Sequence, residues 1–150
     1  LRGIATTQHC RRPSNSDLAL LGDLHTATLF FEPSLRAAAG HAAAGGSSFV
    51  YSFDWQSPNA RIAACHCIEL PFFFGNLNTW AEAPMIVGAP ADELARLRHD
   101  FQSAIGAFAR TGNPGSESVH WDSYKQSSFI KHFGRAANDL QGSGSGKLHA

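Results

Sequence analysis

The sequence predicts an α/β fold, and three observations carry that reading. In Phe49-Val50-Tyr51-Ser52-Phe53-Asp54-Trp55 an aromatic residue falls at every second position, the period of a strand, which puts four rings on one face. Leu94, Leu97, Phe101, Ile105 and Phe108 recur at spacings of three and four, the stripe of a helix that buries one side. A helical segment leads into the strand through a short connection, the helix-then-strand order that α/β architectures use. The bulk properties agree. The chain has 150 residues, a length suited to one domain, and 43% of them are apolar, enough to build a core. Twelve Lys and Arg balance twelve Asp and Glu. That balance argues against a nucleic-acid partner, which needs a basic face to displace counterions from phosphates. No apolar run approaches the ~20 residues that span a bilayer.

Residues 1–16 are polar and end in Pro13-Ser14-Asn15-Ser16, a loop with Ser16 as N-cap. They contain no apolar run of the kind a signal peptide requires. An apolar helix follows from Asp17 to about Phe31, and Pro33 is expected to break it. Pro33 then opens a second, alanine-rich helix from Ser34 to about Ala44, which Gly45 and Gly46 stop. The strand at 49–55 comes next. Residues 56–62 read as a loop around Ser57-Pro58-Asn59, and 77–90 as a second loop. Pro90 opens the long helix, Asp92 and Glu93 complement its dipole, and Gly112 with Pro114 ends it. A weaker strand is expected from Ser127 to Phe133, and Gly142-Ser143-Gly144-Ser145-Gly146 reads as a flexible tail.

Among eight histidines, His66 stands out. It lies about ten residues past the best strand, on a loop, immediately before the apolar run Ile68 to Phe74. An imidazole fixed at a strand end with a rigid segment behind it suits proton transfer at neutral pH, because its ordinary pKa is near ~6.5. The competing reading is a structural loop histidine. The other histidines have no spacing that suggests shared ligation and are read as surface or core residues.

The residues around His66 resemble a known family. Phe49 to Pro58, followed by Ala64-Cys65-His66-Cys67-Ile68-Glu69-Leu70-Pro71-Phe72-Phe73-Phe74-Gly75-Asn76, is similar to the type-B carboxylesterases: an aromatic strand, a loop, then a histidine and a Glu-Leu-Pro-Phe-aromatic-Phe-Gly run. Phe108-Ala109-Arg110-Thr111-Gly112-Asn113-Pro114 resembles a helix end of that family. Trp121-Asp122-Ser123-Tyr124 resembles its Trp-Pro-x-Tyr, with Asp122 in place of proline. The resemblance implies an α/β-hydrolase fold, with residues 1–140 as the C-terminal portion of a carboxylesterase domain and 141–150 as the tail. It implies a serine esterase with an acyl-enzyme mechanism, a small-molecule ester as substrate, no cofactor, and His66 as the triad histidine.

The other two triad members are not carried by this stretch. G-x-S-x-G occurs nowhere in the sequence. An imidazole without nucleophile and oxyanion donors cannot run acyl transfer efficiently, so the chain alone is expected to be inactive. The start at Leu1 gives the expectation that the chain is a piece of a longer one. Alternatives are a non-catalytic adhesion or binding module of the same fold, or a fragment without function. Cys65-His66-Cys67 lacks the second ligand pair of a zinc site, so no metal is assigned and Cys67 is read as packing. Cys65 and Cys67 are too close for an easy mutual disulfide. Glu69, Asp23 and Asp54 are read as structural, not as the triad acid. Phe72, Phe73, Phe74 and Trp80 either line an acyl pocket or belong to the core. An incomplete sheet leaves an edge and an apolar face uncovered, so the isolated chain is expected to self-associate.

Overall fold

The computed structural model describes residues 17–116 and 119–134. The loop at 1–16 with its Ser16 cap, Cys10 and the Gly/Ser tail lie outside the described residues. The elements run α1 (Asp17–His25), a π-helical stretch (Thr26–Phe31), α2 (Glu32–Ala43), β1 (Val50–Phe53), α3 (Leu70–Phe73), a 3₁₀ turn (Leu77–Trp80), α4 (Ala91–Thr111), α5 (Tyr124–Ser127) and β2 (Ile130–Phe133). The chain divides into two compact units, one of Leu1–Val50 with Ala107–Lys131 and one of Tyr51–Gly106 with His132–Ala150.

In the first unit the helix does not break at Pro33. Helical backbone runs from Asp17 to Ala43, and Pro33 falls in the first turn of α2. A proline there lacks an N–H and crowds the carbonyl one turn back, and both problems are met by the wider π turns just ahead of it. The Thr26 and Thr28 hydroxyls donate back to the Gly22 and Leu24 carbonyls at 2.9 and 2.8 Å. Gly45, at φ +91, closes α2, where its N–H donates to the Ala42 carbonyl. Leu20, Leu21, Leu24, Leu29 and Phe30 of the first two segments are all exposed.

The remainder of this unit is tied by aromatic contacts and a built helix end. Phe49 meets Phe108 and the buried Trp121 edge-to-face, with ring centroids 5.9 and 6.4 Å apart. Gly112 at φ +73 ends α4. The Thr111 hydroxyl donates to the Ala107 carbonyl at 2.9 Å and accepts the Asn113 N–H, while Asn113 Oδ1 accepts the Gly115 N–H at 2.8 Å. The Thr-Gly-Asn-Pro sequence is therefore a self-contained helix stop.

The second unit holds Tyr51–Phe53 of β1 and His132–Phe133 of β2, the two strands of one sheet. β1 covers four residues rather than the seven that alternate, because β2 stops at Phe133. The Asp54 N–H makes one further bond, to the Phe133 carbonyl at 2.7 Å. Alternation nevertheless continues, directing Phe53 and Trp55 inward while Tyr51 stays 40% exposed. Phe53 and Trp55 both pack on Phe72, at 5.1 and 5.3 Å. Tyr51 and Phe53 pack on Phe101, at 5.3 and 5.2 Å. Phe72 and Phe101 have no exposed surface. The α4 stripe supplies Leu97, Phe101 and Ala104 to this core, and the Trp55 indole N–H donates to Glu93 of the same helix at 2.7 Å. The apolar run after His66 is not extended. Pro71 in the first turn starts the short helix α3, and Gly75 at φ +70 follows it. Phe72 is thereby buried, while Phe73 and Phe74 face solvent.

Gly134 ends β2 at φ +77, and a Cβ built on it would collide with Trp55 Cβ and lie 2.8 Å from Trp55 Cα. Gly134→Ala is expected to lower unfolding stability by about 2 kcal/mol or more in urea titrations, from left-handed strain plus displacement of the Trp55 backbone. A loss below a few tenths of a kcal/mol would contradict this geometry.

Tyr51 offers a second check. Burial, then the charge of Glu69, pushes its phenol above the usual tyrosine range. With the folded pKa raised, the unfolded chain loses this proton first. Stability is therefore complete below the ordinary tyrosine pKa and declines as pH rises through it toward the folded value. Tyr51→Phe is expected to flatten that alkaline decline in thermal melts. Parallel alkaline slopes for the two proteins would refute it.

Candidate functional site

The loop after β1 is held rigidly before it reaches His66. The Asn59 side chain accepts the Arg61 N–H and its carbonyl accepts the N–H groups of Ile62 and Ala63, at 2.8 and 3.0 Å for the last two. The buried Ser57 donates its N–H to the Ala63 carbonyl at 3.1 Å and accepts the Asn59 N–H on its hydroxyl. Ala63 and Ile68 are both buried and act as the two feet of the next turn, with His66 exposed between them.

That turn is strained in a defined way. The Ile68 N–H donates to the Cys65 carbonyl at 3.2 Å, making His66 and Cys67 the central residues of a β-turn. Cys67 has φ +66, the left-handed conformation that the third position of a type II turn requires. Ala63 has φ +49. Among the described residues only one other non-glycine, Ser128, has positive φ. The two left-handed residues beside His66, each costing on the order of 1–2 kcal/mol, are sustained because the buried flanks over-determine the backbone. The result presents one imidazole at the apex of a fixed turn.

The carboxylates sort differently. The charge of Glu69 acts on Tyr51 and on Cys65, and its carbonyl accepts the N–H groups of Phe72 and Phe73 at the start of α3. Asp54 is more than a loop residue. One of its oxygens accepts the Ser52 hydroxyl and the other lies 2.5 Å from His132 Nδ1, with the histidine and aspartate side chains 28% and 14% exposed. The carboxylate sits between hydroxyl and imidazole, so this is a clasp between strands and not a triad, in which the imidazole would be central. The sequence carried half of the signal, since Ser52 and Asp54 alternate with the aromatics. The partner 78 positions later had none. His120 pairs with Asp122 at 3.2 Å in the other unit.

Cys65 and Cys67 are both half-buried free thiols. Cys65 Sγ lies 4.0 Å from Met85 Sδ. Burial, with the neighbouring charges of Cys67 and Glu69, pushes the Cys65 thiol above its ordinary range. Among the described residues no cluster of three or more His, Cys, Asp or Glu could hold a metal, and no helix is long and apolar enough to cross a membrane.

The profile of the carboxylesterase family matches residues 5–141. The chain is 40% identical over 79 residues to the para-nitrobenzyl esterase of Bacillus subtilis, a match covering 52% of this chain and 16% of that protein. It is 37% identical over 78 residues to the phenmedipham hydrolase of Pseudarthrobacter oxydans, covering 50% of this chain and 16% of the relative. A crystal structure of a Geobacillus stearothermophilus carboxylesterase superposes with a TM-score of 0.64 at 28% identity, over 80% of this chain and 25% of that one. The chain therefore spans a quarter or less of each of these three relatives. Its two-stranded sheet with packing helices is part of an α/β-hydrolase fold. With a family match over most of its length and the expected strand, turn and helices in order, the chain belongs to the carboxylesterase family.

Proposed function

We propose that this chain supplies the proton-transfer histidine of a serine esterase, with His66 in that role. The observation that supports the reading is His66 itself, exposed at the apex of a turn that two buried residues and two left-handed residues hold in place, within the stretch matched to the family. In the reaction His66 takes the proton of a serine hydroxyl as that oxygen attacks the ester carbonyl. It then returns the proton to the departing alcohol, and repeats the cycle with water to release the acid. No cofactor enters those steps. The exposed rings of Phe73 and Phe74 offer apolar surface of the kind that receives a small ester, while Phe72 is core.

The serine is not within these 150 residues, because no G-x-S-x-G is present. The chain alone is therefore expected to hydrolyse para-nitrophenyl acetate no faster than buffer. Turnover by the purified chain that disappears in His66→Ala would overturn the division of labour, though not the role of His66. The role itself is tested by grafting the chain's matched segment into the Bacillus subtilis relative in place of the 79 residues it resembles.

A further inference from the structure

We propose that Gln102 is a positioning residue: its side-chain amide fixes the end of α3, and with it the paired rings of Phe73 and Phe74, as a surface that favours esters with a larger apolar acyl group. The inference rests on the esterase reading above. α3 is only four residues long, too short to hold itself. Its first half is anchored, because Pro71 and Phe72 are fully buried. The backbone from His66 also runs into it without a gap. The Ile68 N–H donates to the Cys65 carbonyl and the Leu70 N–H to the Cys67 carbonyl, both at 3.2 Å, and the Phe72 and Phe73 N–H groups donate to the Glu69 carbonyl at 3.0 and 2.8 Å.

The far end of α3 needs an outside support. A carbonyl in the last turn of a helix has no intrahelical donor. The Phe73 carbonyl accepts instead from Gln102 Nε2 at 3.1 Å, a group 29 positions later on α4. A second observation fixes the same amide. Gly75 follows α3 at φ +70, and a Cβ built on it would lie 2.5 Å from Gln102 Nε2 and 3.3 Å from Gln102 Cδ and Oε1. The amide therefore lies across the Gly75 α-carbon, in space that only glycine leaves. The rings depend on this end. Phe73 meets the core ring of Phe101 at 6.1 Å, and Phe74 meets Phe73 edge-to-face at 5.0 Å. Both rings are exposed. Loosening the Phe73 carbonyl moves both rings, while the turns at the other end still hold His66. A methyl group is too small to cover such a surface, whereas each methylene of a longer acyl chain buried on it strengthens binding about fourfold.

Gln102→Met keeps the length and helix propensity of the side chain and removes the donor, and Gln102→Lys keeps the propensity and supplies a donor again. In the full chain, Gln102→Met is expected to speed amide exchange at Phe73 and Phe74 about fivefold and to leave Ile68 unchanged, with Gln102→Lys restoring the parent rates. In a graft carrying residues 49–114 in the Bacillus subtilis relative, Gln102→Met is expected to raise KM for para-nitrophenyl hexanoate about fivefold. Its KM for the acetate ester and kcat for both esters should stay within about twofold, and Gln102→Lys should return the hexanoate KM to that of the parent. Unchanged exchange at Phe73 and Phe74 would overturn the proposal. So would equal changes in KM for the two esters, faster exchange without a change in the hexanoate KM, or no rescue by lysine. Full activity of His66→Ala in the same graft would defeat the esterase reading instead, and the exchange rates would still decide whether Gln102 holds α3.

Discussion

In the graft of this chain's segment into the Bacillus subtilis relative, His66→Ala is expected to lower kcat for a para-nitrophenyl ester by about four to six orders of magnitude. The effect is large because, in the proposed role, one imidazole serves four proton transfers per turnover, two in acylation and two in deacylation. Without it the serine hydroxyl stays protonated and the leaving alcohol departs as an alkoxide. Exposure of the ring predicts a second, separable readout. Removing a solvent-facing side chain leaves the core intact, so the melting temperature of the variant should match its parent within about a degree or two. A neighbouring control isolates the role further. Cys67→Gly suits the left-handed backbone at that position and should retain activity. If His66→Ala kept activity within tenfold of its parent, the catalytic assignment would fail. If it lost activity together with its fold, the turn would be structural instead.

Phe101→Ala is expected to be the most damaging single truncation in the core, at about 4 kcal/mol in urea unfolding. Phe101 has no exposed surface. Its ring meets those of Tyr51, Phe53, Phe73 and Phe133 at centroid distances of 5.3, 5.2, 6.1 and 5.0 Å. These partners come from β1, α3 and β2, so the void left by truncation cannot be closed by moving one element. The loss combines the transfer free energy of the ring with the cavity and with several edge-to-face contacts. Phe74→Ala provides the contrast. It lies 66% exposed, and its truncation should cost no more than about 0.5 kcal/mol. Equal losses from the two variants would show that the aromatic cluster is not the core of this unit.

The comparison of Phe101 with Phe74 also marks what is readable in one dimension. The stripe from Leu94 to Phe108 identified the buried face of α4, because large apolar residues recurring with a period of 3.6 bury one side of a helix and leave the other to water. The alternation at 49–55 identified the inward rings of β1 even though the hydrogen-bonded strand is shorter. By contrast Phe72, Phe73 and Phe74 are identical in type and consecutive. Only the onset of a helix at Leu70 separates the buried ring from its exposed neighbours. Pro33 misled in the opposite direction. Its local rule holds for a regular α-helix, and the chain avoids the rule by widening the preceding turns to π geometry.

The amino-acid order by itself determined the class of fold, the family and the residue at the centre of the proposed chemistry, because each rests on local periodicity or on a contiguous motif. Tertiary structure alone decided the Ser52–Asp54–His132 clasp and the approach of Met85 to Cys65. It also decided the left-handed turn that lifts His66 between two buried anchors. Those arrangements bring together groups up to 78 positions apart, or depend on a backbone conformation that alanine and cysteine adopt only when their surroundings impose it.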